Sequence, residues 1–246
     1  MSSEQLIQLS NNVWIYPFDG GVQPNVGIIV TNTETVLIDC GNSPQSAEEI
    51  KSLLLKIDAP PVKYVIYTHH HWDHTFGALA FDSLFISHRK CNDFLKESSK
   101  IKWSQEYLED EIKQQPLLET SNRYKIKLIN DWESFRIVLP EITFDHMLEM
   151  HLDGVTLELS YIGGNHADDS IVIKVVESNL LFVGDCFYPP PLHVRKETDT
   201  HSLEILRKLY DFSADMYIHG HGEPAELGDL KPLIESMEDE TNKRSK

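Results

Sequence analysis

Tyr67-Thr68-His69-His70-His71-Trp72-Asp73-His74 follows directly on the apolar run Val62 to Ile66, and the reading of the whole chain turns on it. Four histidines and an aspartate fall within six residues, immediately after a segment with the character of a buried strand. His69 and His71 are two apart, so an extended backbone sends both to the same side. Asp73 and His74 lie past the bend and reach a second point nearby, whereas His70 faces away from its neighbours. Imidazole nitrogens suit zinc, with iron or manganese as alternatives, and a carboxylate can hold a metal or orient its water.

Working outward, three more apolar strands end in donor side chains beside glycine turns. Val155 to Ile162 leads into Gly163-Gly164-Asn165-His166, and Leu180 to Val183 leads into Gly184-Asp185. Met216 to Ile218 leads into His219-Gly220-His221-Gly222. Each alone reads as a turn, but four such strand ends together describe the rim of a pocket in a layered α/β protein.

The remaining chain supplies the frame. Val13 to Phe18, Val26 to Thr31 and Thr35 to Ile38 read as strands, the first two joined by Asp19-Gly20-Gly21-Val22-Gln23-Pro24. Ser43-Pro44 caps a helix with Ala47, Ile50, Leu54 and Ile57 on one face, and Pro60-Pro61 stops it. Leu84 to Ser87 is a further strand, and about residues 88–130 form a charged, aromatic-dotted helical insertion. Ile142 to Phe144, Met147 to Leu152 and Ile171 to Val176 resume the strands, with helices at Leu203 to Tyr210 and from Leu227. Gly27 to Cys40 and Ile171 to Cys186 share one plan, strand, polar turn and strand ending in Asp-Cys, which suggests two similar sheet-building halves. No linker divides the chain, so residues 1–246 are expected to form one domain.

Composition narrows the function. Twenty-two basic against 39 acidic residues give a net charge of −17, which repels phosphate backbones and anionic membranes. A small-molecule substrate is expected rather than nucleic acid or a membrane. The polar opening Met1-Ser2-Ser3-Glu4-Gln5 lacks the regions of a secretion signal, and no stretch has the length of a membrane span. Cys40, Cys91 and Cys186 form no Cys-x-x-Cys pair. Together these lead to the expectation of a cytoplasmic protein in a reducing compartment.

With these motifs in place, the chain resembles the metallo-β-lactamase superfamily over nearly its whole length. The pattern His-x-His-x-Asp-His is met by His69, His71, Asp73 and His74; His166, Asp185 and His221 match the later ligand positions, and Asp39 an early supporting aspartate. The resemblance implies an α/β (α+β) chain folded as a four-layer αββα sandwich with two zinc ions, iron or manganese being alternatives. It implies that His69, His71 and His166 hold one metal and Asp73, His74 and His221 the second, with Asp185 bridging. The implied activity is a metal-dependent hydrolase. A hydroxide shared by two zinc ions about 3.5–4 Å apart would attack the carbonyl of a small ester, lactone, thioester or amide, β-lactams included. Asp73 would orient that hydroxide. Ala167 replaces the threonine that commonly follows the third histidine, and Asp185 stands where secreted β-lactamases of the superfamily carry cysteine.

Acyl-homoserine lactonases, which are similar in length, have a tyrosine three residues past the bridging aspartate, as Tyr188 stands to Asp185. A phenol there could stabilise an oxyanion, or pack beneath the proline-rich loop. Phe18, Val22, Trp103, Tyr107 and Trp132 are candidates to wall an apolar pocket. Two other functions share the pattern: an iron-dependent oxidoreductase resembling the sulfur dioxygenases, and a binding protein with an inactive site.

Overall fold

The computed structural model describes residues 5–244, with side chains through Asp239. Met1 to Glu4, in the polar N-terminal opening, lie outside the described residues. The chain begins with an antiparallel meander: β1 (Ile7–Gln8), β2 (Val13–Tyr16), β3 (Val26–Val30) and β4 (Thr35–Ile38). Helix α1 (Pro44–Lys56) starts where expected because the Ser43 hydroxyl accepts from the Ser46 amide and Ser46 answers reciprocally, with Pro44 in the first turn. The helix ends one residue short of Ile57, which is exposed; Leu53 takes its place in the buried face.

Strand β5 (Val62–Ile66) runs parallel to β4, and the short helix α2 (Trp72–Thr75) follows it. Next come β6 (Leu84–His88) and three helices, α3 (Arg89–Ser99), α4 (Gln105–Gln114) and α5 (Glu119–Leu128). These occupy the stretch read as a helical insertion. Strand β7 (Ile142–Phe144) then closes a seven-stranded sheet in simple sequence order, β1 to β7.

A six-stranded sheet has the order β13-β12-β11-β10-β9-β8. Its strands are β8 (Met147–Leu152), β9 (Val155–Tyr161), β10 (Ile171–Val175), β11 (Leu180–Gly184), β12 (Met216–His219) and β13 (Ala225–Glu226). Helix α6 (Leu203–Asp211) crosses from β11 to the parallel strand β12, and α7 (Leu227–Arg244) follows β13.

Side-chain alternation sorts the apolar residues into layers. On β4, Val36 and Ile38 face one core while Leu37 faces another; on β10, Ile171, Ile173 and Val175 oppose Val172. The first core lies between the sheets, where Ile29, Ile38 and Ile66 meet Leu159, Ile173 and Phe182. The second packs the first sheet on α1 and α3, and the third packs the second sheet on α6 and α7. Strands buried on both faces explain why their sequences read as continuous apolar runs. The result is the expected αββα sandwich. The two echoing segments are the hairpins β3–β4 and β10–β11, one in each sheet. They meet where a Cβ on Gly27 would overlap the Phe182 ring, so glycine permits the close approach of the sheets. Among the described residues, no helix is long and apolar enough to cross a membrane.

Candidate metal centre

The candidate site lies where β4, β5, β9, β11 and β12 give out, and each strand end delivers a donor or its support. Beyond β5, His71 caps α2, which places Asp73 and His74 in the first turn of that helix. The resulting bend separates Asp73 and His74 from His69 and His71. Asp185 follows a register shift between Phe182 and Gly184 in the β11–β12 pairing. Gly220 sits so close to Asp185 and His74 that a Cβ there would collide with the Asp185 carboxylate.

All seven residues picked from the sequence come together, in two groups. His69, His71, His166 and Asp185 form one; Asp73, His74 and His221 form the other; within each group the donor atoms lie within 4.8 Å of one another. Asp185 reaches both: its Oδ2 is 3.2 Å from His166 Nε2 and 3.7 Å from His221 Nε2, and its Oδ1 is 3.5 Å from His74 Nε2. His71 Nδ1 and His166 Nε2 are 3.1 Å apart, near the roughly 3.3 Å edge of a tetrahedron with metal–nitrogen bonds of about 2.0–2.1 Å.

Supporting contacts fix which nitrogen two of the imidazoles present. His74 Nδ1 donates to Asp39 Oδ2 at 2.7 Å and His166 Nδ1 to the Pro189 carbonyl at 2.9 Å, leaving both Nε2 atoms for the site. Asp39 also accepts from the amide and hydroxyl of Thr68, each at 2.7 Å. It adopts φ 63°, a left-handed conformation that aspartate tolerates better than most residues.

Residue chemistry decides whether this set suits a metal. His69 Nε2, His74 Nε2 and Asp185 Oδ1 are buried with no hydrogen-bond partner. Such orphaned groups each cost about 1–3 kcal/mol, and here they converge. Burial, reinforced by neighbouring imidazoles, holds His69 and His71 well below the usual histidine range, so they stay neutral lone-pair donors. Burial opposes charge on Asp73, Asp185 and His74 too. His74 and then His221 nonetheless hold the Asp73 carboxyl down, and His74 and His166 hold Asp185 well down. Asp185, Asp39 and Asp73 together raise His74 well above its ordinary value. The pocket therefore favours positive charge at its centre, and nitrogen and oxygen donors fit zinc, iron or manganese. The three cysteines are free, buried and outside both groups.

A sequence profile of the metallo-beta-lactamase superfamily matches residues 19–221. The chain belongs to that superfamily. A linear primary-alkylsulfatase from a Pseudomonas species is 24% identical over 217 residues, covering 77% of this chain and 39% of the relative. The alpha subunit of a 2,4-dinitroanisole O-demethylase from a Nocardioides species is 25% identical over 194 residues, covering 77% of this chain and 50% of the relative. The chain thus spans half or less of these two curated relatives. The solved metallo-beta-lactamase of Pontibacter korlensis superposes with TM-score 0.64 at 19% identity, covering 94% of this chain and 97% of that one, a likeness of fold.

In this superfamily member a cavity of about 1120 Å³ opens onto the donor groups. Trp103 and Val22 line it as expected. Phe18, Tyr107 and Trp132 are not among its walls: Tyr107 packs behind Trp103, and Trp132 against Phe135. Trp72 and Phe76, unremarked in the sequence, supply wall instead. Tyr188 lines the cavity, but its one hydroxyl proton goes to the His221 carbonyl at 2.8 Å. In this conformation the phenol ties down the last donor loop and is not free to serve an oxyanion. His70 lies outside the donor groups, bonded to buried Asp169 at 2.8 Å and stacked on Phe94. His219 is likewise outside, packed on Phe187. Sequence reading missed Asn25, whose amide donates to the carbonyls of His219 and Gly222, both at 2.7 Å. It also missed Asp169; neither carried a local signal.

Proposed function

We propose that the protein is a dinuclear metal-dependent hydrolase of a small organic substrate, with zinc as the metal. The observation that carries this reading is the sharing of Asp185 between two donor groups, one of three histidines and one of Asp73, His74 and His221. His69, His71 and His166 would hold one divalent ion and Asp73, His74 and His221 the second, with Asp185 between them, and such ions would supply a nucleophile from water at neutral pH and Lewis acidity for the group under attack.

The chain's own residues do the rest. Asp73 Oδ2 and His221 Nε2, 2.9 Å apart, would both turn to the second metal, and the Asp73 carboxylate, held ionised by His74 and His221, would be placed to orient water. Asp39 holds His74 in the tautomer that leaves its Nε2 as a lone-pair donor. Trp72, Phe76 and Trp103 wall one side of the cavity with aromatic rings, which limits water beside the donor groups. Tyr188 and Asn25 hold the loop of His221 from two sides.

The names of the relatives widen the substrate range beyond carbonyl esters, lactones, thioesters and β-lactams to alkyl sulfate esters and aryl ethers. The test is to strip the protein with a chelator, reload it separately with zinc, manganese or ferrous iron, and assay each form against that panel. Hydrolysis by the zinc form is expected. Dioxygen uptake by the iron form alone, with no hydrolysis by any form, would replace this reading with the oxidoreductase one.

A further inference from the structure

The cavity that opens onto the donor groups carries, beside Trp72 and Trp103, a buried cation that is in neither donor group. Lys125 on α5 is only 8% exposed. Its Nζ donates to Asn122 Oδ1 at 2.9 Å and lies 5.5 Å from the Trp72 ring centroid and 5.8 Å from that of Trp103. It makes no salt bridge and no second hydrogen bond among the described residues. The carboxylate of Glu111, which also borders the cavity, is engaged by the Tyr107 hydroxyl at 2.7 Å and the Asn122 amide at 3.1 Å.

An ammonium has three N–H donors, and one neutral acceptor leaves it under-satisfied. Taking such a group out of water is costly, and a hydrocarbon of equal length would fill the space between two indoles without that cost. A cation held between aromatic faces with donors to spare is instead equipped to receive an anion. Its setting fits an amphiphile. Leu95, Ile101, Leu117, Leu118 and Ile137 line the same cavity, so apolar surface adjoins both the donor groups and Lys125. Burial pushes the Lys125 pKa down to about 8, with Glu111 and Asp73 acting the other way, so the group is largely charged at neutral pH.

We infer that Lys125 is the anion-recognition residue of this cavity, and that the substrate is an amphiphile whose oxyanion seats on the Lys125 ammonium while its apolar body lies along the Trp72 and Trp103 wall. The inference deepens the hydrolase reading and rests on it for the reaction, but not for the binding.

The test is calorimetric titration of the metal-loaded protein with octanoate, octyl sulfate, octyl phosphate and octan-1-ol, each below its aggregation limit. At least one anion is expected to bind roughly tenfold or more tightly than octan-1-ol, the gain of one charge-assisted hydrogen bond. The order among the three names the oxyanion. Lys125→Met should abolish the preference, and Lys125→Gln serves the same purpose if the methionine variant does not fold. Equal binding of octan-1-ol and all three anions by the natural protein would overturn the inference. So would an anion preference that survives loss of the lysine, which would place the anion on the metals. A lysine-dependent preference in a protein that hydrolyses nothing in the panel would leave the recognition standing and remove the hydrolase reading alone.

Discussion

Asp39 shows how much of the site rests on one side chain that touches no candidate metal position. Its carboxylate accepts from His74 Nδ1, from the Thr68 amide and from the Thr68 hydroxyl, all at 2.7 Å. Asp39→Ala removes the partner that fixes the His74 tautomer. Metal affinity at the group of Asp73, His74 and His221 should fall roughly 10–100-fold, as losses of such outer partners typically do. Competition with a chromophoric chelator reads this, and unchanged affinity at both sites would show that His74 needs no orienting partner. Tyr188→Phe poses a separate question. Because the phenol donates to the His221 carbonyl, the expected result is weaker metal binding at that group, with turnover at saturating metal reduced less than about tenfold. A fall on the order of 10²–10³ with metal content intact would return Tyr188 to the oxyanion role.

At the scale of elements, the β2–β3 connection looks in sequence like a flexible glycine-rich turn, yet it clamps the far end of the site. Asn25 accepts from the Phe18 amide at 2.9 Å and donates to the carbonyls of His219 and Gly222. Asn25→Ala removes the amide from the buried His219 carbonyl and the half-buried Gly222 carbonyl and should cost about 1–3 kcal/mol, seen as a lower urea midpoint with unchanged slope. A midpoint within error of the natural protein would mean that water replaces the amide. This clamp also marks the limit of the sequence. The donors were legible because each follows an apolar strand, with glycine beside those of the later three strand ends, a signal contained within about a dozen residues. Asn25 and Gly222 are 197 residues apart in the chain and His70 and Asp169 are 99 apart, so no local pattern announces either pair. The insertion was legible as helical from its charge pattern. Its aromatic facing was not: Trp103 lines the cavity while Tyr107, four residues later, stands behind it. Trp103 lies in the loop between α3 and α4 and Tyr107 in the first turn of α4, so helical spacing does not relate the two or say which meets the cavity.

At the scale of the molecule, two hairpins of one plan face each other across the central core, and each ends in an aspartate that serves the site. Asp39 follows β4 and supports; Asp185 follows β11 and joins the two donor groups. The sandwich thus fixes the distance between supports and donors, and loosening its centre should disturb both. Phe182, 3% exposed and packed on Gly27, is the place to try this. Phe182→Ala should lower stability by about 3–5 kcal/mol, read by denaturant unfolding, and a loss under about 1 kcal/mol would mean that the sheets close over the gap. Metal should act in the opposite direction: at a hundred times its dissociation constant, each site adds roughly 2.7 kcal/mol to stability. The most direct test of the whole account counts the metal. Chelator-stripped protein titrated with zinc, and read by native mass spectrometry, should take up two ions per chain. His71→Ala should weaken chiefly one site, and Asp73→Ala the other. Saturation at a single ion per chain, with full hydrolytic activity, would contradict the dinuclear centre.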